Sequence, residues 1–251
     1  MKGFDRPLKP LWIYQFIQEV EIGDKIYDHR KSFDSILWEL DGDVGKRKVI
    51  TVLSRYFLKT AENPKGRIVE NVPIIEISKK YPLKEIEPIL LFHLLMRSNI
   101  LRILTKMINE IYGFGNDINQ VFLRKKVIEK FGEKDISSRS LRNLLSTLVD
   151  FGILEKHDKN YRWLSKFKID ELNAVYMLRL YAEEFKESPQ INIDDIEEYL
   201  FLYFEKPDFG VVAKKYNNVL WDYSIRMGQK VITFHDDIFD LKGVLYEDGK
   251  N

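Results

Sequence analysis

The chain has 251 residues, 45% of them hydrophobic and 31% charged, and a formal net charge of +1. That is enough apolar material for a sizeable core, and the charge keeps the folded chain in solution. It contains no cysteine, which rules out a disulfide framework, a thiolate zinc site and a cysteine nucleophile.

Residues 1–60 read as mostly helical. The opening MKGFDRPLKPLWIYQ lacks the continuous apolar core of a signal peptide, and the longest strongly apolar run, Ile89–Met96, is too short to span a bilayer. A cytoplasmic protein with no membrane partner is therefore expected. Pro7 and Pro10 lead into LWIYQFIQEV, a helix with an aromatic apolar side. Phe33, Ile36, Leu37 and Leu40 then recur at i, i+3, i+4 and i+7. A further helix over Lys46–Leu58 places Val49, Val52, Leu53 and Tyr56 on one face. It begins with Lys46, Arg47 and Lys48, whose charges oppose the dipole of a helix N-terminus and so suggest another use. Gly42-Asp43-Val44-Gly45-Lys46 resembles a phosphate loop in composition but fails its spacing, and Arg47 stands where Ser or Thr is needed.

Asn63-Pro64-Lys65-Gly66 signals a turn. VENVPIIEISKKYP after it reads as a short strand or an extended linker, with Pro73 arguing against a central strand. A boundary is expected there. Glu87-Pro88 then opens one long helix through to Gly113, apolar nearly all round in its first half and amphipathic in its second.

The most legible stretch is Asp117–Lys168. A helix containing FLRKKVIEKFG is followed by a second one, for which Ser137 and Ser138 are natural N-caps. Leu141, Leu144, Leu145, Leu148 and Val149 form its apolar face, and Arg139, Arg142, Asn143, Ser146 and Thr147 its polar one. Gly152 ends it. GILEK-HDKN-YRWL then reads as two short strands around a polar turn. From Val121 to Lys168 there are 12 Lys and Arg against 6 Asp and Glu, a net of +6. A basic stretch on a helix–helix–hairpin is the footprint expected of a nucleic-acid binder.

Beyond this segment the charge inverts, with 11 Asp and Glu against 3 Lys and Arg over Ile169–Asp208. Helices are expected near Asp170–Glu187, over Asp194–Phe204 and over Phe209–Tyr223, followed by a strand at KVITF.

Catalytic constellations are weak. His29, His93, His157 and His235 are scattered, none with a metal-ligand partner at helical spacing. His93, in the most apolar run, reads as a hydrogen-bonded core histidine. His235-Asp236-Asp237 and Asp240 supply carboxylates, but without a supporting sheet pattern they do not make a nuclease. No nucleophile elbow or dinucleotide fingerprint occurs. The expectation is a protein that is not an enzyme and takes no cofactor.

The order of elements, with FLRKKVIEKFG followed by SSRSLRNLLSTLVDFGILE, resembles the A-type (BrxA-like) proteins of BREX bacteriophage-defence systems, most clearly over Leu90–Leu164. That resemblance implies a winged-helix protein that binds DNA as a non-catalytic component of a defence complex.

The reading is thus a mainly α protein with a winged helix-turn-helix core (83–168) between an N-terminal helical region (1–82) and an acidic C-terminal helical region (169–251). Double-stranded DNA is the expected partner, with other defence-system proteins beside it. Arg139, Arg142, Asn143 and Ser146 would face a groove, with Ser138 beside them. Arg124, Lys125, Lys126, Lys156, Lys159 and Arg162 would touch phosphates. The alternative is a protein-interaction adaptor, built on the acidic region and on Tyr199, Tyr203, Phe204, Phe209 and Tyr216.

Overall fold

The computed structural model describes residues 3–63, 66–70, 72–133, 135–185 and 190–235. The chain is mainly α, as expected, with three small antiparallel sheets among the described residues. It begins with α1 (Pro10–Glu19), which has Pro10 in its first turn and buries Trp12, Ile13, Phe16 and Ile17. The short α2 (Arg30–Ile36) seats Phe33 and Leu37 in the core. Gly42, at φ +80°, turns the chain into α3 (Asp43–Phe57). This helix starts one turn earlier than the periodicity predicts. Asp43 therefore occupies the first turn, where its charge suits the dipole, and Lys46–Lys48 sit further in.

Strands β1 (Thr60–Asn63) and β2 (Gly66–Val69) form a hairpin that pairs Asn63 with Gly66, so the chain reverses where the turn signal lies. Pro64 and Lys65 themselves fall outside the described residues. The expected strand or linker after them is instead a helix, α4 (Pro73–Lys80). Pro73 fits its first turn, where no amide donor is needed, and Ile74, Ile75 and Ile77 are buried.

The single long helix expected over 87–113 is two helices, α5 (Leu83–Met96) and α6 (Asn99–Ile111), which meet at 104°. Neither is long and apolar enough to cross a membrane. Arg97 is still helical, but Ser98 is extended at φ −126° and ψ 99°. The bend turns the apolar stripe of α6 (Leu101, Leu104, Ile108) back onto the core, which a straight continuation would leave. Arg102 donates to the carbonyl of Met96, one of the acceptors that the break strips of helical partners. Pro88 lies inside α5, which starts at Leu83, rather than at its opening.

The next elements are β3 (Ile118–Asn119), α7 (Gln120–Phe131), α8 (Asp135–Asp150), β4 (Leu154–His157) and β5 (Asn160–Trp163). Their sheet runs in the order β3-β5-β4, all antiparallel. The Asn119 side chain caps α7 by accepting from the Phe122 amide at 2.9 Å. Ser137 and Ser138 are not caps: α8 already begins at Asp135, so both lie within its first turn. Leu141, Leu144, Leu145 and Leu148 are buried, as the spacing predicts. Truncating any of them to alanine would cost about 2–5 kcal/mol. Gly152, at φ +68°, closes α8. Its amide donates to Val149, and the Ile153 amide reaches back to Leu148 at 2.9 Å, the paired bonds of a Schellman cap.

In the C-terminal part α9 (Glu171–Phe185) is the expected helix, buried along most of its length. The helix expected at Asp194–Phe204 is instead two 3₁₀ turns, Ile193–Asp195 and Glu198–Phe201. Leu200, Phe201, Leu202, Tyr203 and Phe204 are all buried there. Consecutive core residues leave no solvent face, so the 3.6-residue pattern does not hold the segment as a helix. The helix expected at Phe209–Tyr223 stops early, as α10 (Phe209–Lys215). Asn218, at φ +64°, turns the chain out of it into a strand. A sheet of β6 (Gln190–Asn192), β8 (Gln229–Phe234) and β7 (Trp221–Arg226) follows, in that spatial order. Met227 and Gly228 both take positive φ, giving the two-residue β7–β8 turn a twist that matches its strands.

One continuous apolar core runs from Phe4 to Phe234, through all three segments anticipated from the sequence. At its centre α5 is covered by α1, α3, α6 and α9.

Candidate nucleic-acid interface

The elements that organise the candidate site are α8, α3 and the N-terminal segment. Arg139 and Arg142 project from α8. They line a cleft of about 760 Å³ together with Arg6, Lys48 and Arg55. Lys48, Thr51 and Arg55 reach it because they lie at i, i+3 and i+7 of α3, on a polar stripe beside the buried Val49, Leu53 and Tyr56. Asp5 is the single carboxylate lining the cleft among the described residues. It lies 3.7 Å from Arg55, while Arg139 pairs with Asp135 one turn back on its own helix. No ion pair involves Arg6, Lys48 or Arg142 among the described residues, and Arg142 is exposed. Five cations around one acid repel one another, and a bound polyanion would relieve that repulsion.

The N-terminal segment also closes off part of α8. The Phe4 amide donates to Ser140 Oγ at 2.9 Å and the Leu8 amide to Thr147 Oγ1 at 2.9 Å. The Asn143 side-chain amide donates to the Phe4 carbonyl at 2.7 Å. Asn143 borders the cleft beside the arginines but is 8% exposed, because the backbone of Phe4–Leu8 uses this face of α8 as its hydrogen-bonding partner. Ser138 and Ser146 are half-buried. The side chains of α8 that stay available are therefore chiefly the two arginines.

The remaining basic residues lie apart from this cleft. Arg124 and Lys125 are exposed on α7, where Lys126 bonds Glu129 at 2.8 Å and holds that carboxyl below its usual range. Lys156, Lys159 and Arg162 are exposed on the β4–β5 hairpin, with Arg162 at 3.8 Å from Asp117. At the same hairpin His157 pairs with Glu155 at 2.8 Å. Arg6 and Arg55 were not anticipated from sequence. The helical spacing of Lys48, Thr51 and Arg55 was the available signal, but nothing local says that this stripe faces α8.

His93 is a structural residue, as its surroundings suggest. It is 1% exposed, its Nε2–H donates to the Tyr56 carbonyl at 2.9 Å, and its Nδ1 accepts from the Tyr176 hydroxyl at 2.5 Å. Burial, then the nearby Arg97, push its pKa down to about 3, so the ring is neutral and ties α3, α5 and α9 together. Among the described residues no three His, Cys, Asp or Glu side chains gather in a way that could hold a metal ion. Asp236, Asp237 and Asp240 lie outside those residues.

Comparison with family models, with curated proteins and with solved structures finds no match for this chain.

Proposed function

We propose that α6, β3, α7, α8, β4 and β5 form a winged helix, and that the protein binds duplex DNA through it without catalysing a reaction. The order helix–strand–helix–helix–hairpin and the sheet order β3-β5-β4 support the fold reading. The observation that carries the functional reading is the convergence of Arg139 and Arg142 with Arg6, Lys48 and Arg55 on one cleft. Cations so arranged suit a phosphate backbone.

The N-terminal segment shapes what this interface can read. With Ser140, Asn143 and Thr147 committed to Phe4 and Leu8, few side chains remain for base edges. Binding is accordingly weakly specific and governed by phosphate contacts. Arg124, Lys125 and Lys126 on α7, and Lys156, Lys159 and Arg162 on the hairpin, serve as outer phosphate contacts. Following the resemblance to A-type BREX proteins, the DNA-bound chain acts in a cytoplasmic phage-defence assembly.

The adaptor reading draws less support. Tyr203, Phe204 and Phe209 are buried in the core, and Tyr199 and Tyr216 are half-buried. Glu183 and Glu184 are engaged by Arg97 and Arg102 at 2.6–3.6 Å. The test is duplex binding by the variant carrying both Arg139→Glu and Arg142→Glu. Loss of binding in a folded protein supports the proposal, and retained affinity refutes it.

A further inference from the structure

A second, larger cleft of about 1180 Å³ lies between α2, α3 and β2, and it meets the first at Thr51 and Arg55, which line both. Its charged lining is Lys25, Arg30, Arg47, Arg55 and Arg67, against one carboxylate, Asp28. Among the described residues, no ion pair involves Lys25, Arg30 or Arg47. Its other surface is apolar, made by the half-buried Ile26, Ile50 and Leu58 over the buried Phe33. At its edge Tyr27 is 77% exposed, a ring held out where the core does not need it.

These two features together point to one class of ligand. A duplex offers phosphates on its outside but keeps its base faces stacked within, so it has no use for an apolar floor. An unpaired strand offers both, phosphates for the arginines and bare bases for an aromatic ring and an apolar surface. A protein partner with acidic side chains would match the cations too, but it predicts no gain from an unpaired tail, so the experiment below separates the two.

We infer that this cleft receives a single-stranded nucleic-acid segment, and that through Thr51 and Arg55 it continues the α8 cleft, so that the protein grips a duplex with an unpaired tail. Tyr27 is the stacking platform, and Arg30, Arg47 and Arg67 follow the strand's phosphates. The continuity between clefts rests on the duplex-binding reading above, whereas the single-strand site stands on its own lining.

The experiment is fluorescence anisotropy of the full chain with three labelled DNAs: a blunt duplex, the same duplex with an unpaired tail, and the tail alone. One stacked base is worth about fivefold or more in affinity, so the tailed duplex should bind at least about fivefold tighter than the blunt one. Tyr27→Ala, at a site too exposed to disturb folding, should erase that advantage and leave blunt-duplex affinity unchanged. Arg30→Ala should weaken the tailed duplex and the tail alone. Equal affinity for tailed and blunt duplex, or an advantage that survives Tyr27→Ala, overturns the inference while leaving duplex binding intact. Binding of the tail alone with no affinity for the blunt duplex overturns the α8 assignment and keeps the single-strand site.

Discussion

The side-chain amide of Asn143 donates to the carbonyl of Phe4, 139 positions earlier in the chain, at a distance of 2.7 Å. With the bonds from Phe4 and Leu8 to Ser140 and Thr147, it fastens the N-terminal segment along α8. A residue type suited to reading adenine is thereby used to hold the chain's own backbone. Asn143→Ala leaves a buried carbonyl without its partner, which costs about 1–3 kcal/mol. Denaturant unfolding should show that loss, while affinity for a duplex of mixed sequence stays within about twofold. A loss of affinity with unchanged stability would return Asn143 to the interface.

His93 sets a pH dependence. Its folded pKa, at about 3, lies below its ordinary value of 6.5. Between those values the unfolded chain binds a proton that the folded chain refuses, so stability is full above about pH 6.5 and falls as the pH drops. From pH 7 to pH 5 the loss from this one group is about 2 kcal/mol. Denaturant midpoints across that range should show the slope, and His93→Gln should flatten it. An identical slope in the variant would mean that other groups cause it.

Arg102 braces the bend between α5 and α6. Its side chain is 12% exposed, donates to the Met96 carbonyl and lies 3.1 Å from Glu184 on α9. Arg102→Met keeps the stem's packing but leaves the Met96 carbonyl without this donor and Glu184 with Arg97 alone, costing about 1–3 kcal/mol. Thermal unfolding is the measurement, and a variant as stable as the parent would contradict the bracing role.

Gly152 closes α8 at φ +68°, and a Cβ there would meet no atom within 4 Å. The cost of Gly152→Ala is therefore conformational rather than steric crowding, about 1–2 kcal/mol. Unfolding experiments on Gly152→Ala and Gly152→Asn should rank asparagine as the milder change, since it tolerates this region better.

Local patterns made α8, its glycine terminus and the β4–β5 hairpin legible, because Leu141–Leu148 and the turn residues carry those signals within a few positions. The bend at Ser98 was not legible. No glycine or proline marks it, and an apolar stripe that runs through a break looks like one through a helix. The 3₁₀ turns around Leu200–Phe204 escaped for the opposite reason, since a segment buried on all sides has no polar face to fix its period. In the candidate site, Arg139 and Arg142 could be read from their own helix. That Lys48 and Arg55 stand opposite them, and that Phe4 covers Asn143, depends on contacts between distant parts of the chain.

The central claim, that α8 and α3 together hold a phosphate backbone, is tested most directly by measuring duplex affinity as a function of salt. With three to five of the cleft's cations in contact, log affinity should fall against log salt with a slope of at least about −3 to −5, steeper by about one for each outer phosphate contact. Lys48→Ala should make the slope shallower by about one, and Arg139→Glu combined with Arg142→Glu should remove binding. A slope near zero, or one that neither change alters, would contradict the account.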